Sequence, residues 1–403
     1  MGALSHLRVL DLSRVLAGPW SGQILADLGA DVIKVERPGS GDDTRAWGPP
    51  FLKDAEGENT SEAAYYLSAN RNKRSVTIDF TRPEGQRLVR ELAAKSDIVI
   101  ENFKVGGLAA YGLDYQSLKA INPQLIYCSI TGFGQTGPYA KQAGYGSIGE
   151  AMGGLRYVVG DPSTPPSRVG ISIGDSLAAL FGTIGVLAAL QERHRSGLGQ
   201  VVDSAIYESV HGMMESLVPE WAEDEIQRER SGSTLPKIAP SNVYPTKDGR
   251  WLIIAANQDT VFRRLAEAMG QPELAKSPEY STHTARGERQ IELDEMITEF
   301  SLQFDSDELN DLLNEHSVPV GKIFRVEDML DDPQYRARKS VIDVDSDEYG
   351  TVTMQNAFPR MSRTDTAVRW VGPELGQDTE VVLSRLGYDE PALQNLRAQG
   401  VIR

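Results

Sequence analysis

The chain has 403 residues, 40% of them hydrophobic and 24% charged, so it can bury a substantial core and is too long for one small domain. The formal net charge of -16 at pH 7 argues against nonspecific binding to nucleic acid or to anionic membranes. Any phosphate site must therefore be a local basic patch. The single cysteine, Cys128, excludes an intrachain disulfide, and no Cys/His spacing indicates structural zinc.

The start of the chain indicates no targeting segment. A strand pattern begins almost at once, with no charged and then apolar leader before it. No apolar run approaches membrane-spanning length in the sequence pattern. We therefore expect a soluble cytoplasmic protein with no metal, no permanently bound cofactor, and neither nucleic acid nor membrane as a partner.

The first part of the chain alternates between strand and helix patterns, which predicts a parallel sheet in an α/β fold. The predicted strands are Leu7–Leu12, Asp31–Glu36, Ser75–Asp79, Ile98–Ile100 and Leu125–Ile130, and the predicted helices are Trp20–Leu28 and Arg82–Ala94. The turn Ser13–Pro19 after the first strand lacks GxGxxG, so we predict no nicotinamide or flavin cofactor. No GxxxxGK[ST] occurs in the chain, so we predict no ATP hydrolysis.

A long apolar helix pattern begins near Asp175 and ends before Gly197, with Arg193, His194 and Arg195 in its last turn. Asp175 therefore lies at or near the helix N-cap, where the backbone N–H groups favour an ionised carboxylate. Such a carboxylate, next to Gly174, can act as a nucleophile. An aspartate that only caps the helix remains the alternative interpretation.

The middle of the chain predicts a second, smaller domain. Residues 223–240 are charged and then rich in Ser, Gly and Pro, which is typical of a linker. A hairpin pattern follows, from Val243 to Ile254 around Lys247-Asp248-Gly249, and then come helix patterns. The resulting prediction is a large domain in residues 1–222, a linker in 223–240, a small α+β domain in 241–330 and a return to the large domain in 331–403.

Two groups of residues could bind a ligand at the strand ends. Arg71-Asn72-Lys73-Arg74, with Arg14, Lys34 and Arg37, could form a phosphate-binding patch, or it could be a solvated loop. Asn102-Phe103 could hold an adenine or a pantetheine, or it could simply begin a helix.

The chain strongly resembles the class III (family III) CoA-transferases, the group that contains formyl-CoA, carnitine and succinate–hydroxymethylglutarate CoA-transferases. The resemblance covers essentially all 403 residues. Its markers are Ala17-Gly18-Pro19, Leu28–Glu36, Gly41–Arg45, Asn70–Ser75, Glu101-Asn102-Phe103, Thr131–Pro138, Gly174-Asp175, Arg193–Gly197 and Pro373–Gly376.

The resemblance implies a mechanism and a fold. Asp175 matches the family's catalytic aspartate, which forms an acyl anhydride and then an aspartyl-CoA thioester. The implied fold is a Rossmann-like large domain built from both chain ends, with a smaller α+β middle domain, in an interlocked homodimer. The CoA thioester would be a substrate, together with a small carboxylic acid.

The resemblance also implies the binding residues. The positions that contact CoA in the family map onto Arg14, Ala17, Arg37, Asn70, Asn72, Lys73, Asn102 and Phe103. We add Arg74 from the basic cluster. Arg45, Tyr145 and Gln135 are candidate substrate-binding residues, with Arg45 available to pair with a distal carboxylate.

Some family features are missing, and two other functions stay open. Gly146 stands where some members have an acidic residue, and Ala256–Thr260 stands where some have a Gly-rich flap. An α-methylacyl-CoA racemase shares the fold and the aspartate, but it needs a second acid/base where this chain has Tyr145. A non-catalytic CoA-binding protein would not need the Gly174-Asp175 pair. Succinyl-CoA as donor is our guess.

Overall fold

The computed structural model describes residues 1–403. The strands are β1 Arg8–Asp11, β2 Asp31–Glu36, β3 Phe51–Lys53, β4 Asn59–Ala63, β5 Lys73–Thr77, β6 Ile98–Glu101, β7 Ile126–Thr131, β8 Val201–Ala205, β9 Ser241–Pro245, β10 Trp251–Ala255, β11 Val320–Lys322, β12 Val341–Ser346 and β13 Gly350–Gln355. The helices are α1 Ala17–Asp27, α2 Ala64–Asn70, α3 Pro83–Ala94, α4 Tyr115–Lys119, α5 Gly146–Met152, α6 Leu155–Val158, α7 Ile173–Ser196, α8 Ile206–His211, α9 Leu217–Asp224, α10 Asp259–Ala268, α11 His283–Glu288, α12 Gln290–Ser301, α13 Ser306–Glu315, α14 Val326–Asp331, α15 Pro333–Ala337, α16 Thr379–Leu386 and α17 Glu390–Ala398.

The main sheet has six parallel strands in the order β5-β2-β1-β6-β7-β8. The chain builds outward from β1 to one edge and then from β6 to the other, which is the 3-2-1-4-5-6 order of the Rossmann fold. The central strands β1, β6 and β7 are largely apolar because helices cover both faces of the sheet. The predicted parallel α/β sheet is confirmed.

Alternate residues of each strand pack into two cores. Leu10 and Leu12 lie in the core that also contains α3, α16 and α17, whereas Val9 lies in the core with α1 and α7. The period of two follows from the pleat of a β-strand. The sheet is therefore anchored on both faces, and its carboxyl edge is the edge free to carry loops.

The chain divides into two compact units. Unit 1 contains Met1–Leu155, Gly170–Ser216 and Ala337–Arg403, and unit 2 contains Arg156–Val169 and Leu217–Arg336. Both chain ends lie in unit 1. Unit 2 also takes in Arg156–Val169, a segment that the expected boundaries assign to the large domain.

Unit 2 has its own core and sheet. Strands β11-β10-β9 form an antiparallel sheet, and Tyr244, Leu252 and Ile254 point into a core with α10, α12 and α13. The predicted hairpin corresponds to β9 and β10. A second hairpin, β3–β4 in unit 1, was not predicted, because Asn59–Ala63 carries almost no β-branched or aromatic residue.

The helix α7 corrects one expectation. Its 24 residues are long and apolar enough to cross a membrane by length and composition, although 44% of its most apolar window is buried in the protein. The sequence predicted the extent of this helix, from near Asp175 to Gly197, but not that it is long and apolar enough for a membrane span. Its small residues Ala178, Ala179 and Gly182 are buried in unit 1, as in a core helix.

Candidate active site

The order of the main sheet reverses between β1 and β6, so a crevice opens beyond their carboxyl ends. A cavity of about 110 Å³ lies there. Residues that follow β1, β2 and β6 line it, among them Arg14, Arg37, Asp43 and Phe103. This is the position at which open α/β sheets bind nucleotides.

Two guanidinium groups and an aromatic pair surround this cavity. Arg14 and Arg37 are 54% and 59% exposed, and both approach Asp43, at 3.5 Å and 2.5 Å respectively. The Arg14 guanidinium carbon lies 5.8 Å from the centre of the Phe103 ring, which packs edge-on against Phe80. Charge and aromatic surface therefore come together at one cavity, and the predicted CoA contacts of these three residues stay predictions.

Asn102 holds the backbone of Arg14 from both sides. Arg14 N donates to Asn102 Oδ1 at 2.9 Å, and Asn102 Nδ2 donates to Arg14 O at 2.6 Å. The amide that we expected to contact CoA directly is thus committed to the β1–α1 turn. Asn102 shapes the cavity by fixing the residue that lines it.

Glu101, the last residue of β6, supports the neighbouring position. Its Oε2 accepts from Phe103 N at 2.8 Å. Burial raises the pKa of Glu101 to about 7. The hydrogen bonds from Ser129 and Phe103 favour the charged form, but their effect on the pKa is smaller than that of burial. The register places Glu101, Ser129 and Asp203 side by side on β6, β7 and β8.

The predicted cations Lys73 and Arg45 are buried in ion pairs. Lys73 Nζ donates to Asp11 Oδ2 at 2.8 Å, to Pro19 O at 2.7 Å and to Asn70 Oδ1 at 2.9 Å. Burial lowers the pKa of Lys73 to about 8. Its three ammonium donors all have internal acceptors, so this placement gives no support to a phosphate contact by Lys73 or Asn70.

Arg45 is 4% exposed and lies among carboxylates. It donates from Nε and Nη2 to Glu36, from Nη1 to Glu62 and from Nη2 to Tyr66 Oη and Pro373 O. Its guanidinium carbon stacks 3.8 Å from the centre of the Tyr66 ring. A guanidinium held in this way ties elements of unit 1 together, so its predicted pairing with a substrate carboxylate is unsupported.

The expected basic patch does not form. Lys73 pairs in register with Val32, at the beginning of β2, whereas Arg14 and Arg37 follow the ends of β1 and β2. Arg74 binds Asp31 and Asp378 and borders a different, acidic pocket. The beginnings and the ends of parallel strands lie at opposite edges of a sheet. Lys73, which begins β5, therefore lies away from Arg14 and Arg37, which follow strand ends.

Asn72 and Ala17 also serve the interior. Asn72 is buried, and its side chain bonds Asp27 Oδ1, Ala367 O and the backbone N–H of Arg369. Its φ of 62° lies in the left-handed region, which asparagine tolerates better than most residues. Ala17 begins α1 and packs in the apolar core. Their predicted CoA contacts stay predictions.

Asp175 lies in the first turn of α7, which begins at Ile173 after the N-cap residue Ser172. The helix dipole favours an ionised carboxylate at this position. Two glycines crowd it: a Cβ on Gly146 would lie 2.0 Å from Asp175 Oδ2, and Gly174 packs against Glu150 of α5. The sequence therefore predicted the place of Asp175 closely, but not that α5 would approach its carboxylate.

Tyr145 and Gln135 lie on the loop between β7 and α5. Tyr145 is 76% exposed and immediately precedes Gly146, so it lies next in sequence to the residue in contact with Asp175. Gln135 N donates to Asp203 Oδ2 at 2.9 Å, and its Nε2 atom is buried with no hydrogen-bond partner. Gln135 lines a cavity of about 290 Å³ beside Glu101.

Sequence reading missed the pair Lys34–Asp42. The Lys34 ammonium lies 2.9 Å from Asp42 Oδ2, and both side chains are 1% exposed. Asp42 accepts from the backbone N–H of Val15, and Lys34 donates to Ser13 O. The one available signal was a lysine inside an apolar strand pattern, which must find a buried partner.

These features suit a nucleotide-bearing substrate. The cavity at the sheet switch point offers guanidinium groups for phosphates and an aromatic surface for a base. Asp175 carries the carboxylate for which the sequence predicts a nucleophilic role. No group of three or more His, Cys, Asp or Glu side chains is arranged to hold a metal ion.

Comparison with known proteins agrees with this reading. The sequence profile of CoA-transferase family III matches residues 4–379. The chain is 50% identical over 400 residues to succinyl-CoA–D-citramalate CoA-transferase of Chloroflexus aurantiacus, covering 99% of this chain and 98% of that protein. It is 44% identical over 384 residues to succinate–glutarate CoA-transferase of Agrobacterium fabrum, covering 95% of each.

A solved structure has the same fold. The crystal structure of a CAIB/BAIF family protein from Brucella suis superposes with a TM-score of 0.85 at 42% sequence identity, covering 96% of this chain and 99% of that one. Both the sequence profile and the full-length relatives carry the assignment across the two units. The chain accordingly belongs to CoA-transferase family III, and the protein is a CoA-transferase.

Proposed function

We propose that this enzyme moves CoA from succinyl-CoA to a small carboxylic or dicarboxylic acid. The observation that carries the proposal is the full-length identity of 50% to succinyl-CoA–D-citramalate CoA-transferase. A second relative, at 44% identity, is named for succinate and glutarate. Citramalate and glutarate are both dicarboxylates, which favours a dicarboxylate acceptor here.

In the proposed first half-reaction, the Asp175 carboxylate attacks the carbonyl carbon of succinyl-CoA. The C–S bond breaks, CoA leaves as thiolate, and a succinyl–aspartyl anhydride forms. The thiolate then attacks the aspartyl carbonyl, which releases succinate and leaves CoA on Asp175 as a thioester. The position of Asp175 in the first turn of α7 supports this role, because the nucleophile must be ionised.

The second half-reaction runs the same steps in reverse with the acceptor. The acceptor carboxylate attacks the aspartyl thioester and expels CoA thiolate, so that a new anhydride forms. Thiolate attack on the acceptor acyl carbon gives the new acyl-CoA and returns Asp175 as carboxylate. Neither half-reaction involves oxidation or reduction. Water must be excluded from the anhydrides, because their hydrolysis would release free acid and the thioester bond would not be conserved.

We assign the cavity at the switch point to the nucleotide end of CoA. Arg14 and Arg37 are exposed at its rim, where they would pair with phosphates. Phe103 and Phe80 supply the aromatic surface for the adenine. Asn102 supports this site through Arg14 rather than by touching the ligand.

We also propose that the enzyme is a cytoplasmic homodimer. The apolar side chains Leu180, Phe181 and Ile184 on α7 are 41%, 40% and 59% exposed in the single chain. A cluster of this kind favours burial in a subunit interface. Light scattering on the eluting protein would give the mass of a dimer, and a monomer mass at micromolar concentration would contradict the proposal.

The decisive experiment incubates the enzyme in heavy water with succinyl-CoA and a pool of small acids, and reads the CoA thioesters by mass spectrometry. A new thioester without deuterium would establish transfer and identify the acceptor. In a parallel incubation with an α-methylacyl-CoA, deuterium at the α-carbon without a new thioester would instead indicate racemisation. If neither a new thioester nor deuterium appears with any donor tested, non-catalytic CoA binding would be the remaining function.

A further inference from the structure

The turn between β1 and α1 contains a residue in an unfavourable backbone conformation. Val15 has a φ of 70°, in the left-handed region, which is costly for a β-branched residue. The turn also contains Ser13 and Arg14, both of which line the cavity of about 110 Å³. A turn of this kind persists only where the surrounding structure holds it.

Asp42 holds Val15 directly. Its two carboxylate oxygens accept from Val15 N at 3.3 Å and 3.1 Å. Asp42 is itself fixed, because its backbone N–H donates to Glu36 Oε2 at 2.9 Å and its Oδ1 accepts from Thr44. Asp42 is 4% exposed, so water does not compete for these bonds.

Lys34 completes the hold on the turn. Its ammonium binds Asp42 Oδ2 at 2.9 Å and donates to Ser13 O, also at 2.9 Å. Burial by itself would raise the pKa of Asp42, but Lys34 and the bonds from Thr44 lower it to about 2. The Asp42 carboxylate is therefore charged at neutral pH. It accepts a hydrogen bond from the Val15 amide, while Lys34 donates one to the Ser13 carbonyl.

We infer that Asp42 is a positioning residue for CoA binding, acting through the strained backbone of Val15 to place Arg14 at the cavity. This inference rests on the proposed CoA site. Asn102 fixes Arg14 from the other side, at 2.9 Å and 2.6 Å. Residues 13, 14 and 15 are thus each held by a different side chain. Release of Val15 would let the turn relax and carry the Arg14 guanidinium away from its ligand.

The test is a double-mutant cycle with Asp42→Ala and Val15→Gly. In the native background, Asp42→Ala should raise KM for the CoA thioester about tenfold with little change in kcat, because the valine leaves the left-handed conformation. In the Val15→Gly background the same substitution should raise KM less than about threefold, since glycine adopts this φ without strain. Equal increases in both backgrounds would overturn the inference.

Two further measurements separate positioning from general destabilisation. Asp294→Asn in unit 2 removes the charge from a carboxylate that also accepts two side-chain hydrogen bonds, from Tyr244 and Asn242, and it should lower the melting temperature without changing KM. If Asp42→Ala does not fold, Asp42→Leu replaces it, because leucine fills a similar volume and offers Val15 no acceptor, and the same limits on KM apply in the two backgrounds.

The cycle also distinguishes the inference from the proposed function. Calorimetric titration with free CoA gives Kd for all four proteins without any turnover. If the native enzyme transfers no CoA but binds it, and Kd follows the pattern expected for KM, the positioning role stands and the proposed reaction fails. If the native enzyme transfers CoA while Asp42→Ala changes neither KM nor Kd, the positioning role alone fails.

Discussion

The Oδ2 atom of Asp175 lies so close to the backbone of Gly146 that a Cβ there would come within 2.0 Å of it. Side-chain Cβ atoms do not approach an oxygen this closely, so any other residue at 146 must displace either the carboxylate or α5. Gly146 therefore belongs to the site through its lack of a side chain, and it offers a direct test of where Asp175 must lie.

Gly146→Ala should lower kcat about 10²-fold, because a nucleophile moved by about 1 Å loses its alignment with the thioester. The measurement is steady-state transfer from succinyl-CoA. Gly321→Ala in unit 2 is the matched control, because nothing lies within 4 Å of its added Cβ. Unchanged transfer by Gly146→Ala would show that the carboxylate works from another position.

Asp175→Asn should reduce kcat at least about 10⁴-fold while CoA still binds, because an amide cannot form the anhydride. Intact-protein mass spectrometry provides a second readout. The native enzyme mixed with succinyl-CoA should gain the mass of CoA less one water, and the variant should not. The same adduct on the variant would place the nucleophile elsewhere.

Arg37→Ala and Arg45→Ala should separate binding from stability. Arg37 is 59% exposed at the cavity rim, so its loss should raise KM for the CoA thioester about tenfold and leave the melting temperature nearly unchanged. Arg45 is 4% exposed, so its loss leaves Glu36 and Glu62 unpaired and should cost about 3–5 kcal/mol of unfolding free energy. A stable Arg45→Ala protein with a raised KM would restore Arg45 as a ligand contact.

Asn102→Ala should raise KM for the CoA thioester about tenfold, because it removes both bonds to the Arg14 backbone. Asn122→Ala is the matched control: Asn122 Nδ2 also donates to backbone carbonyls, those of Ala93 and Ser96, but away from the cavity. Its KM should match that of the native enzyme. Equal KM values for the two variants would argue that Asn102 does not shape the CoA site.

Glu101→Gln should change how stability depends on pH. The pKa of Glu101 is about 7 in the folded protein, above the ordinary 4.5, so between these values the folded state binds more protons than the unfolded chain. The free energy of unfolding therefore falls as pH rises across this window. Glutamine is never ionised, so the free energy of unfolding of the variant should not fall in this way. Relative to the native protein, it should rise by about 3 kcal/mol between pH 4.5 and pH 8. Urea titrations at the two pH values measure this, and parallel pH profiles would contradict it.

Local patterns were sufficient to predict five of the six strands of the main sheet, but not β8. The strand Asp31–Glu36 and the position of Asp175 in the first turn of α7 follow from apolar periodicity and helix-end signals, which act over a few residues. Arg14 and Arg37 were expected near each other because parallel strands end at one edge of a sheet, and both line one cavity together with Phe103.

The partners of the buried charges could not be predicted in this way. Lys73 finds Asp11, 62 positions away, and Arg45 meets Pro373 O across 328 positions. A sequence shows a cation but not whether the fold turns it inward, so Lys73 and Arg45 looked like ligand contacts. The left-handed backbone of Val15 was equally hidden, because valine is the residue type least expected there.

The division of unit 1 among three stretches of the chain has a consequence for synthesis on the ribosome. Leu383, Leu396 and Ile402 complete the core on the face of the main sheet that carries Leu10 and Leu12, so this core is unfinished until nearly the whole chain has emerged. The core of unit 2 is complete once Val320 has been made, and it can close first. Unit 2 can therefore fold before unit 1, while this face of the main sheet stays only partly covered during most of translation.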